Sequence, residues 1–230
     1  MCQTPVTHII FDVDGTLLDT ESLHETAYRA LADKYGKEFK SEYLPKLVGQ
    51  MADVVRQNLI DLLELPVTLG EIKSFLNAMM NDKLYDANFM PGAKRLVEHF
   101  AANKIPMAVA TSSSPSEMEL KTKRQDKKCL FQHFSHVVCG DGDPEVKRGK
   151  PEPDIFLVCA SRFPDKPEAK NILVFEDSVA GKTAALAAGM RCVMTPNPEL
   201  DTKNTEDATL VINSLCDFKP EDFGLPPFQD

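Results

Sequence analysis

No hydrophobic run in this chain approaches the roughly 18–20 residues that a membrane-spanning helix requires. The opening residues MCQTPVTHII lack a basic segment followed by a long apolar stretch, so we expect no secretory signal. Basic residues are also scarce, because 26 Lys and Arg stand against 35 Asp and Glu, for a net charge of −9. That balance argues against nucleic acid and against an anionic membrane surface as partners.

Paired cysteines are absent as well, since none of the six cysteines forms a CxxC motif. Several lie within apolar segments, where a reduced cysteine behaves as a small hydrophobic residue. This spacing argues against a thiolate metal site and against a disulfide framework. We therefore expect a cytoplasmic protein. The cysteines are Cys2, Cys129, Cys139, Cys159, Cys192 and Cys216.

Short apolar segments rich in β-branched residues recur along the chain. They are Val6–Phe11, Ile105–Ala110, His136–Cys139, Ile172–Phe175, Cys192–Met194 and Leu210–Ile212. Most are continuously apolar, which is typical of strands that are buried on both faces. Helical patterns lie between them, at Ala93–Phe100, Ile155–Arg162 and Val179–Ala188. This alternation predicts an α/β fold with a parallel, Rossmann-like sheet covered by helices.

Residues 20–88 interrupt that alternation. Three helical patterns occur there without a strand between them, at Glu21–Tyr35, Asp53–Leu63 and Leu69–Tyr85. Turn residues such as Gly36 and Pro66 separate them. We therefore predict an α/β catalytic core domain, residues 1–19 and 89–230, into which an all-helical cap domain, residues 20–88, is inserted after the first strand.

Polar side chains follow four of the predicted strands. Asp12 and Asp14 come after the first strand, and Thr111 and Ser112 come after the second. Further along, Lys150 follows the third strand, and Glu176 and Asp177 follow the fourth. Ligands of an open parallel sheet bind beyond the carboxyl ends of its strands, so we expect these groups to converge on one crevice.

This set of side chains suits phosphoryl transfer. Aspartate has an unperturbed pKa of about 3.9, so Asp12 is ionised at neutral pH and can attack phosphorus without a base. A Mg²⁺ ion held by Asp12 and Asp177 would mask the negative charges that otherwise repel. Thr111, Ser112 and Lys150 can hold the phosphoryl oxygens.

Asp14 needs a separate role. Residues i and i+2 of an extended chain lie roughly 6.6 Å apart, so both side chains are not expected to grip one small ion. The main-chain carbonyl of Asp14 could reach the metal and leave the side chain free. That carboxyl group could then protonate the leaving alkoxide and afterwards activate water.

These motifs resemble those of the haloacid dehalogenase superfamily. They read Asp12-Val-Asp14-Gly-Thr, Thr111-Ser112, Lys150-Pro151 and Glu176-Asp177. The resemblance covers essentially the whole chain and implies a Mg²⁺-dependent phosphatase with a helical cap. Dehalogenases of the superfamily lack the second aspartate, so Asp14 argues against dehalogenation. The phosphoryl-binding and metal roles carry over to Asp12, Asp14, Thr111, Ser112, Lys150 and Asp177.

Longer segments resemble the pseudouridine-5′-phosphatase family more specifically. The most distinctive are GDPEVKRGKPEPDIFLVCA and the tail NSLCDFKPEDFGLP. This resemblance implies a small phosphorylated substrate, a nucleoside 5′-monophosphate, from which phosphate is released. The expected substrate is pseudouridine 5′-phosphate.

Two other functions stay open at this point. A sugar phosphomutase of the β-phosphoglucomutase type has the same core and a similar cap, and His24 resembles its hinge histidine. Its cap also carries an arginine, however, near the place where this chain has Ala52. A non-enzymatic binding protein is the second alternative, and the intact acidic motifs argue against it.

Two further expectations concern residues outside these motifs. Asp19 precedes the first helical pattern, so we expect it to cap that helix. The charged run Lys121–Lys128 is interpreted as a solvated helix face.

Overall fold

In the computed structural model, which describes residues 5–197 and 204–229, six strands form one parallel sheet in the order β3-β2-β1-β4-β5-β6. Every predicted strand is present within two residues at either end, so the α/β prediction is confirmed. The strands are β1 (His8–Phe11), β2 (Met107–Thr111), β3 (Val137–Cys139), β4 (Ile172–Glu176), β5 (Arg191–Met194) and β6 (Leu210–Val211).

Helices cover both faces of the sheet and also form the insert. Those of the insert are α1 (Glu21–Lys34), α2 (Ala52–Leu63) and α3 (Leu69–Asp86). The others are α4 (Ala93–Ala102), α5 (Pro115–Thr122), α6 (Gln125–Phe131), α7 (Asp154–Ser161) and α8 (Val179–Ala187). No helix in the described part of the chain is long and apolar enough to cross a bilayer.

Alternate residues of β1 feed two separate hydrophobic clusters. Ile9 and Phe11 point to one face, where they pack with Phe100 of α4. Ile10 points to the other face and packs with Phe156 of α7 and Ala184 of α8. Successive strand side chains alternate between faces, so a strand buried on both sides must be apolar throughout. That requirement explains the continuous apolar pattern of these segments.

The helical insert has a hydrophobic cluster of its own. Leu31 of α1, Leu59 of α2 and Ile72 of α3 are its most buried large members. Two antiparallel chain segments connect the insert to the sheet, where Leu18 pairs with Phe89 and the Asp19 N–H donates to the Asn88 carbonyl at 2.9 Å. These segments lie at the predicted borders between core and cap, a division that stays a prediction.

Two local expectations are wrong. Thr20, not Asp19, is the N-cap of α1, and Asp19 instead accepts a hydrogen bond from the Ser22 hydroxyl at 2.8 Å. The run Lys121–Lys128 is not one solvated face, because α5 ends at Thr122 and the chain turns before α6. Lys121 and Lys127 are almost completely buried in consequence.

Candidate active site

Three buried carboxylates meet where β1 and β4 end. Phe11 and Phe175 are paired in register, so Asp12 follows β1 beside the end of β4. One oxygen each from Asp12, Glu176 and Asp177 lies within 4.8 Å of the others. In a sheet of this strand order, β1 and β4 flank the point where the order reverses, which is where open α/β sheets bind ligands.

Lys150 enters this acidic cluster from the loop after β3. Its Nζ lies 2.6 Å from Asp12 Oδ1, 2.5 Å from Glu176 Oε1 and 3.3 Å from the Ala110 carbonyl oxygen. Burial by itself would lower the pKa of this amine, but the Asp12 and Glu176 carboxylates hold the pKa above its usual value. Lys150 is therefore a fixed ammonium group against Asp12.

Glu176 is held by the protein on both of its oxygens. Oε1 accepts from Lys150, while Oε2 accepts from the N–H groups of Asp177 and Ser178, at 3.1 Å each, and from the Ser178 hydroxyl at 3.0 Å. Ser178 is the N-cap of α8. The sequence left open whether Glu176 would bind a metal directly, and these bonds show a carboxylate already oriented by its neighbours.

The acidic cluster fits a divalent cation. Burial raises the pKa of Asp12 to about 8 although Lys150 opposes the shift, and burial together with Glu176 raises the pKa of Asp177 well above its usual value. Ionisation of one carboxylate therefore disfavours ionisation of its neighbours. Carboxylate oxygens are the hard donors that Mg²⁺ prefers, so these groups could hold such an ion and be stabilised by it.

Gly15 allows the loop after β1 to reach Asp177. Its φ is +75°, and a Cβ at this position would lie 2.1 Å from Asp177 Oδ2. A side chain there would therefore separate the Asp12–Asp14 loop from the end of β4. This close approach explains why glycine follows the second aspartate.

Asp14 belongs to a second polar network. Lys121 Nζ lies 2.6 and 2.8 Å from its two oxygens, and the Thr20 and Ser113 hydroxyls donate to it at 2.5 and 2.8 Å. Burial would raise the pKa of Asp14, but Lys121 overrides that effect and the pKa lies below its usual value. The two aspartates of the motif are thus paired with different lysines.

The hydroxyls after β2 contact both the Asp14 network and the insert. Thr111 Oγ1 lies 3.4 Å from Asp14 Oδ2 and accepts from the Ser113 N–H, whereas the Ser112 hydroxyl donates to the Gly49 carbonyl of the insert at 3.0 Å. Ser114, with a reciprocal bond from Glu117, caps α5. Helix capping therefore does not account for Thr111 and Ser112.

Gly49 marks a direct contact between the insert and the core. Its φ is +75°, and a Cβ there would lie 2.2 Å from Ser178 Oγ. Because Ser178 is fixed by Glu176 and by the Gly181 N–H, it has little freedom to move aside. The loop around Gly49, hereafter the covering loop, thus rests on Ser178, which is bonded to Glu176 of the acidic cluster.

A cavity of about 310 Å³, hereafter the catalytic cavity, opens from Asp12 and Asp14 toward the insert. A second cavity of about 400 Å³ lies beyond Glu21, which lines both. Burial, with Asp14 and Asp12 nearby, raises the pKa of Glu21 to about 8. Glu21 therefore lies at the border of the two cavities, and its ionised form is disfavoured.

The structure brings most of the predicted site residues together, and the roles assigned to them stay predictions. Asp12, Lys150 and Asp177 meet around Glu176, while Thr111 lies beside Asp14 and Ser112 contacts the insert. Sequence reasoning missed Lys121, Glu21 and Arg56, which line the same cavity. Lys121 follows Met118 by three residues on the buried stripe of α5, and that spacing was the one available signal.

Known proteins are similar to this chain in sequence and in fold. The profile of the haloacid dehalogenase-like hydrolases matches residues 9–195. A probable pseudouridine-5′-phosphatase of Drosophila melanogaster is 45% identical over 98% of this chain and 96% of its own. A (DL)-glycerol-3-phosphatase of Arabidopsis thaliana is 41% identical over 98% and 94%. The crystal structure of a putative β-phosphoglucomutase from Thermotoga maritima superposes with a TM-score of 0.68 at 28% identity, over 95% and 96% of the two chains.

The chain belongs to the haloacid dehalogenase-like hydrolase family. It is a phosphoric monoester hydrolase, that is, a phosphatase. The predicted superfamily and enzyme class are confirmed, and with them the argument against a non-enzymatic binding protein.

Proposed function

We propose that this phosphatase is Mg²⁺-dependent and works through an aspartyl-phosphate intermediate on Asp12. The observation that carries the proposal is the position of the Asp12 carboxylate, between Lys150 and Asp177 at the carboxyl end of β1. Asp12 lines the catalytic cavity, so a phosphoryl group placed there meets a carboxylate next to a fixed cation. Carboxylates act as covalent nucleophiles in such settings.

The side chains of Asp12 and Asp177, with the main-chain carbonyl of Asp14, are the groups we assign to the metal. Glu176 would orient this set from behind, because both of its oxygens are already bonded within the protein. When bound, the ion masks negative charge that would otherwise repel the phosphate ester. Lys150 supplies the same kind of neutralisation from the opposite side.

The phosphoryl oxygens would be held by Lys150, Thr111 and Ser112. Lys150 already contacts Asp12, and the two hydroxyls lie between Asp14 and the covering loop. Donors placed in advance around a reacting phosphorus stabilise the charge that develops there without reorganising. The Ser112–Gly49 bond ties this set to the insert, so closing the cap would complete it and exclude bulk water.

Asp14 would carry the proton. Its side chain points away from the acidic cluster into the network of Lys121, Thr20 and Ser113, so it is not consumed as a ligand there. Lys121 favours the ionised form of Asp14 before substrate binds, so in this role Asp14 first takes up a proton, gives it to the leaving oxygen and later takes one from the water that attacks the acyl phosphate. Asp12 forms the bond to phosphorus, and the ester oxygen leaves with the proton from Asp14.

Pseudouridine 5′-phosphate is the substrate we assign. The support is the full-length similarity to a relative named as a probable pseudouridine-5′-phosphatase. The similarity to a (DL)-glycerol-3-phosphatase makes small polyol phosphates the competing class. Pseudouridine 5′-phosphate and glycerol 3-phosphate are both phosphomonoesters of a primary alcohol, and this ester group is the part that Asp12 and Lys150 would contact.

A Mg²⁺-dependent phosphate-release assay over pseudouridine 5′-phosphate, glycerol 3-phosphate and sugar phosphates tests this proposal. We expect the nucleotide to give the highest kcat/KM and chelation to abolish release. In parallel, Mg²⁺ should raise the Tm of the wild type more than that of Asp177→Asn, because an ion that binds only the folded state stabilises it. Isomerisation of a sugar phosphate without phosphate release would instead favour a phosphomutase. Phosphate release that persists after chelation would contradict the proposed Mg²⁺ dependence.

A further inference from the structure

Arg56 is a buried cation in the catalytic cavity whose donors are mostly unused. It lies on α2, and its side chain is 9% exposed. The described residues offer it one acceptor, Asp53 Oδ1, at 2.6 Å from Nη1. A guanidinium is a planar fork of several N–H donors, so most of this group faces the cavity without a protein partner.

The remaining donors of Arg56 are open to the cavity, where an acceptor of a ligand can reach them. Asn77 and Asn81 lie on the same cavity wall, four residues apart on α3 and hence on one helix face. Both residues are exposed, and within the described residues neither carboxamide makes a side-chain hydrogen bond, so both are available to a ligand. All three groups line one cavity, and each is planar, with donors and, in the carboxamides, an acceptor, which is the chemistry that recognises the edge of a flat heterocycle.

Two aromatic side chains line the same cavity. The rings of His24 and Tyr28 lie side by side on α1, with centroids 5.9 Å apart and planes 30° apart. Both residues line the catalytic cavity, and burial lowers the pKa of His24, which favours its neutral form. Neutral aromatic faces stack with heterocyclic bases.

The charge of the cavity favours a neutral partner over a second anion. The Arg56 charge is already balanced by Asp53. Acidic side chains also outnumber lysine and arginine in the cavity wall, where Asp12, Asp14, Glu21, Glu117 and Asp141 face Arg56, Lys73 and Lys121. Because burial disfavours the charges of Asp12 and Glu21, the remaining charges balance, and the wall offers no excess of positive charge to a second phosphate or a carboxylate. A carbonyl oxygen would accept from Arg56 without adding charge.

We propose that Arg56, with Asn77 and Asn81, forms a subsite for the pyrimidine base of a nucleoside 5′-monophosphate. The guanidinium donates to a base carbonyl, while the phosphate lies beside Asp12 in the same cavity. The inference rests on the proposed function for the phosphate end only. It identifies the base as the part of the substrate that the cap recognises.

The test compares pseudouridine 5′-phosphate with ribose 5-phosphate, which lacks the base. Arg56→Gln should lower kcat/KM for the nucleotide by about tenfold or more, or ~1.4 kcal/mol, and change the value for ribose 5-phosphate by less than about twofold. Arg56→Lys should share most of the loss, because the ammonium lacks the planar fork. Lys83→Gln removes a charge from α3 outside the cavity and should leave both substrates unaffected.

Binding of free pseudouridine, measured by calorimetry, tests the subsite without turnover. We expect Arg56→Gln to weaken it by about tenfold, at a Tm close to that of the wild type. Equal losses on both phosphate esters, or unchanged nucleoside binding, would overturn the subsite while leaving the phosphatase chemistry intact. If the wild type releases phosphate from no ester, the proposed function fails, and nucleoside binding still decides the subsite.

Discussion

The catalytic cavity has a core wall, which carries Asp12, Asp14 and Lys121, and a cap wall, which carries Arg56, Asn77 and Asn81 of the insert. The two walls differ in how completely their polar groups are paired within the protein. On the core wall, Lys150 bridges Asp12 and Glu176, and Lys121 contacts both oxygens of Asp14. On the cap wall, Arg56 has one protein acceptor, and the carboxamides of Asn77 and Asn81 have none among the described residues. The polar groups of one wall are held by bonds within the protein, whereas those of the other wall are open to a ligand.

This difference suggests separate roles: the core wall carries out phosphoryl transfer, and the cap wall selects the substrate. A wall whose charges are fixed before substrate arrives can stabilise phosphoryl transfer at little cost in reorganisation, whichever alcohol leaves. A wall with open donors contributes only when a leaving group supplies the matching acceptors. Changes to the core wall should therefore affect all substrates alike, whereas changes to the cap wall should depend on the leaving group.

The largest expected effect is that of Asp12→Asn on the core wall. We expect kcat to fall by at least about 1,000-fold on every phosphate ester, or about 4 kcal/mol of lost transition-state stabilisation, because the carboxamide is a poor nucleophile. Steady-state phosphate release on the nucleotide and on a sugar phosphate would measure it. Turnover that persists within tenfold would remove Asp12 from the mechanism.

Lys121→Met comes next and concerns the network around Asp14. We expect kcat to fall by about 100-fold with KM changed by less than about threefold, since Lys121 holds both oxygens of a residue that acts after binding. Lys121→Arg should recover part of the loss. Lys123→Met, an exposed charge just beyond the end of α5, serves as the matched control. A loss confined to KM would instead make Lys121 a substrate-binding group.

Gly49→Ala tests the contact between the two walls. The added Cβ would meet Ser178 and should hold the covering loop away, and we expect kcat/KM to fall by about tenfold on all substrates. Gly36→Ala is the matched control, because Gly36 also has a positive φ, of +65°, but no atom within 4 Å of an added Cβ. Both variants share the cost of a side chain at a positive φ, and only Gly49→Ala adds the clash with Ser178. Equal activity in the two would argue against closure through Gly49.

The smallest effect concerns Lys127, which joins α6 to the end of α3. Its Nζ donates to the Tyr85 carbonyl at 2.7 Å, and burial lowers its pKa to about 8. A lowered lysine pKa means that the folded state binds fewer protons than the unfolded state between that pKa and the unfolded value. The free energy of unfolding of the wild type should therefore rise relative to Lys127→Met from about pH 8 to about pH 10. Parallel pH profiles in denaturant titrations would contradict this.

Most functional residues of the core wall could be predicted from the sequence, whereas those of the cap wall could not. Asp12, Lys150 and Asp177 each follow a short apolar strand, and parallel strands bring such ends to one edge whatever lies between them. Arg56 and Lys121 lie within helices, where position depends on packing across the cavity and not on a motif. Lys121 was interpreted as solvated because neighbouring charges obscured its place on a buried stripe.

The most direct test of the central claim is chemical trapping of the intermediate during turnover. Borohydride reduces an acyl phosphate but not a free carboxylate, so quenching the reaction with borohydride and mapping peptides identifies the esterified residue. We predict conversion of the Asp12 side chain to homoserine, more of it in Asp14→Asn, and none without substrate. Trapping at Asp14, or at neither aspartate while phosphate is being released, would contradict the account.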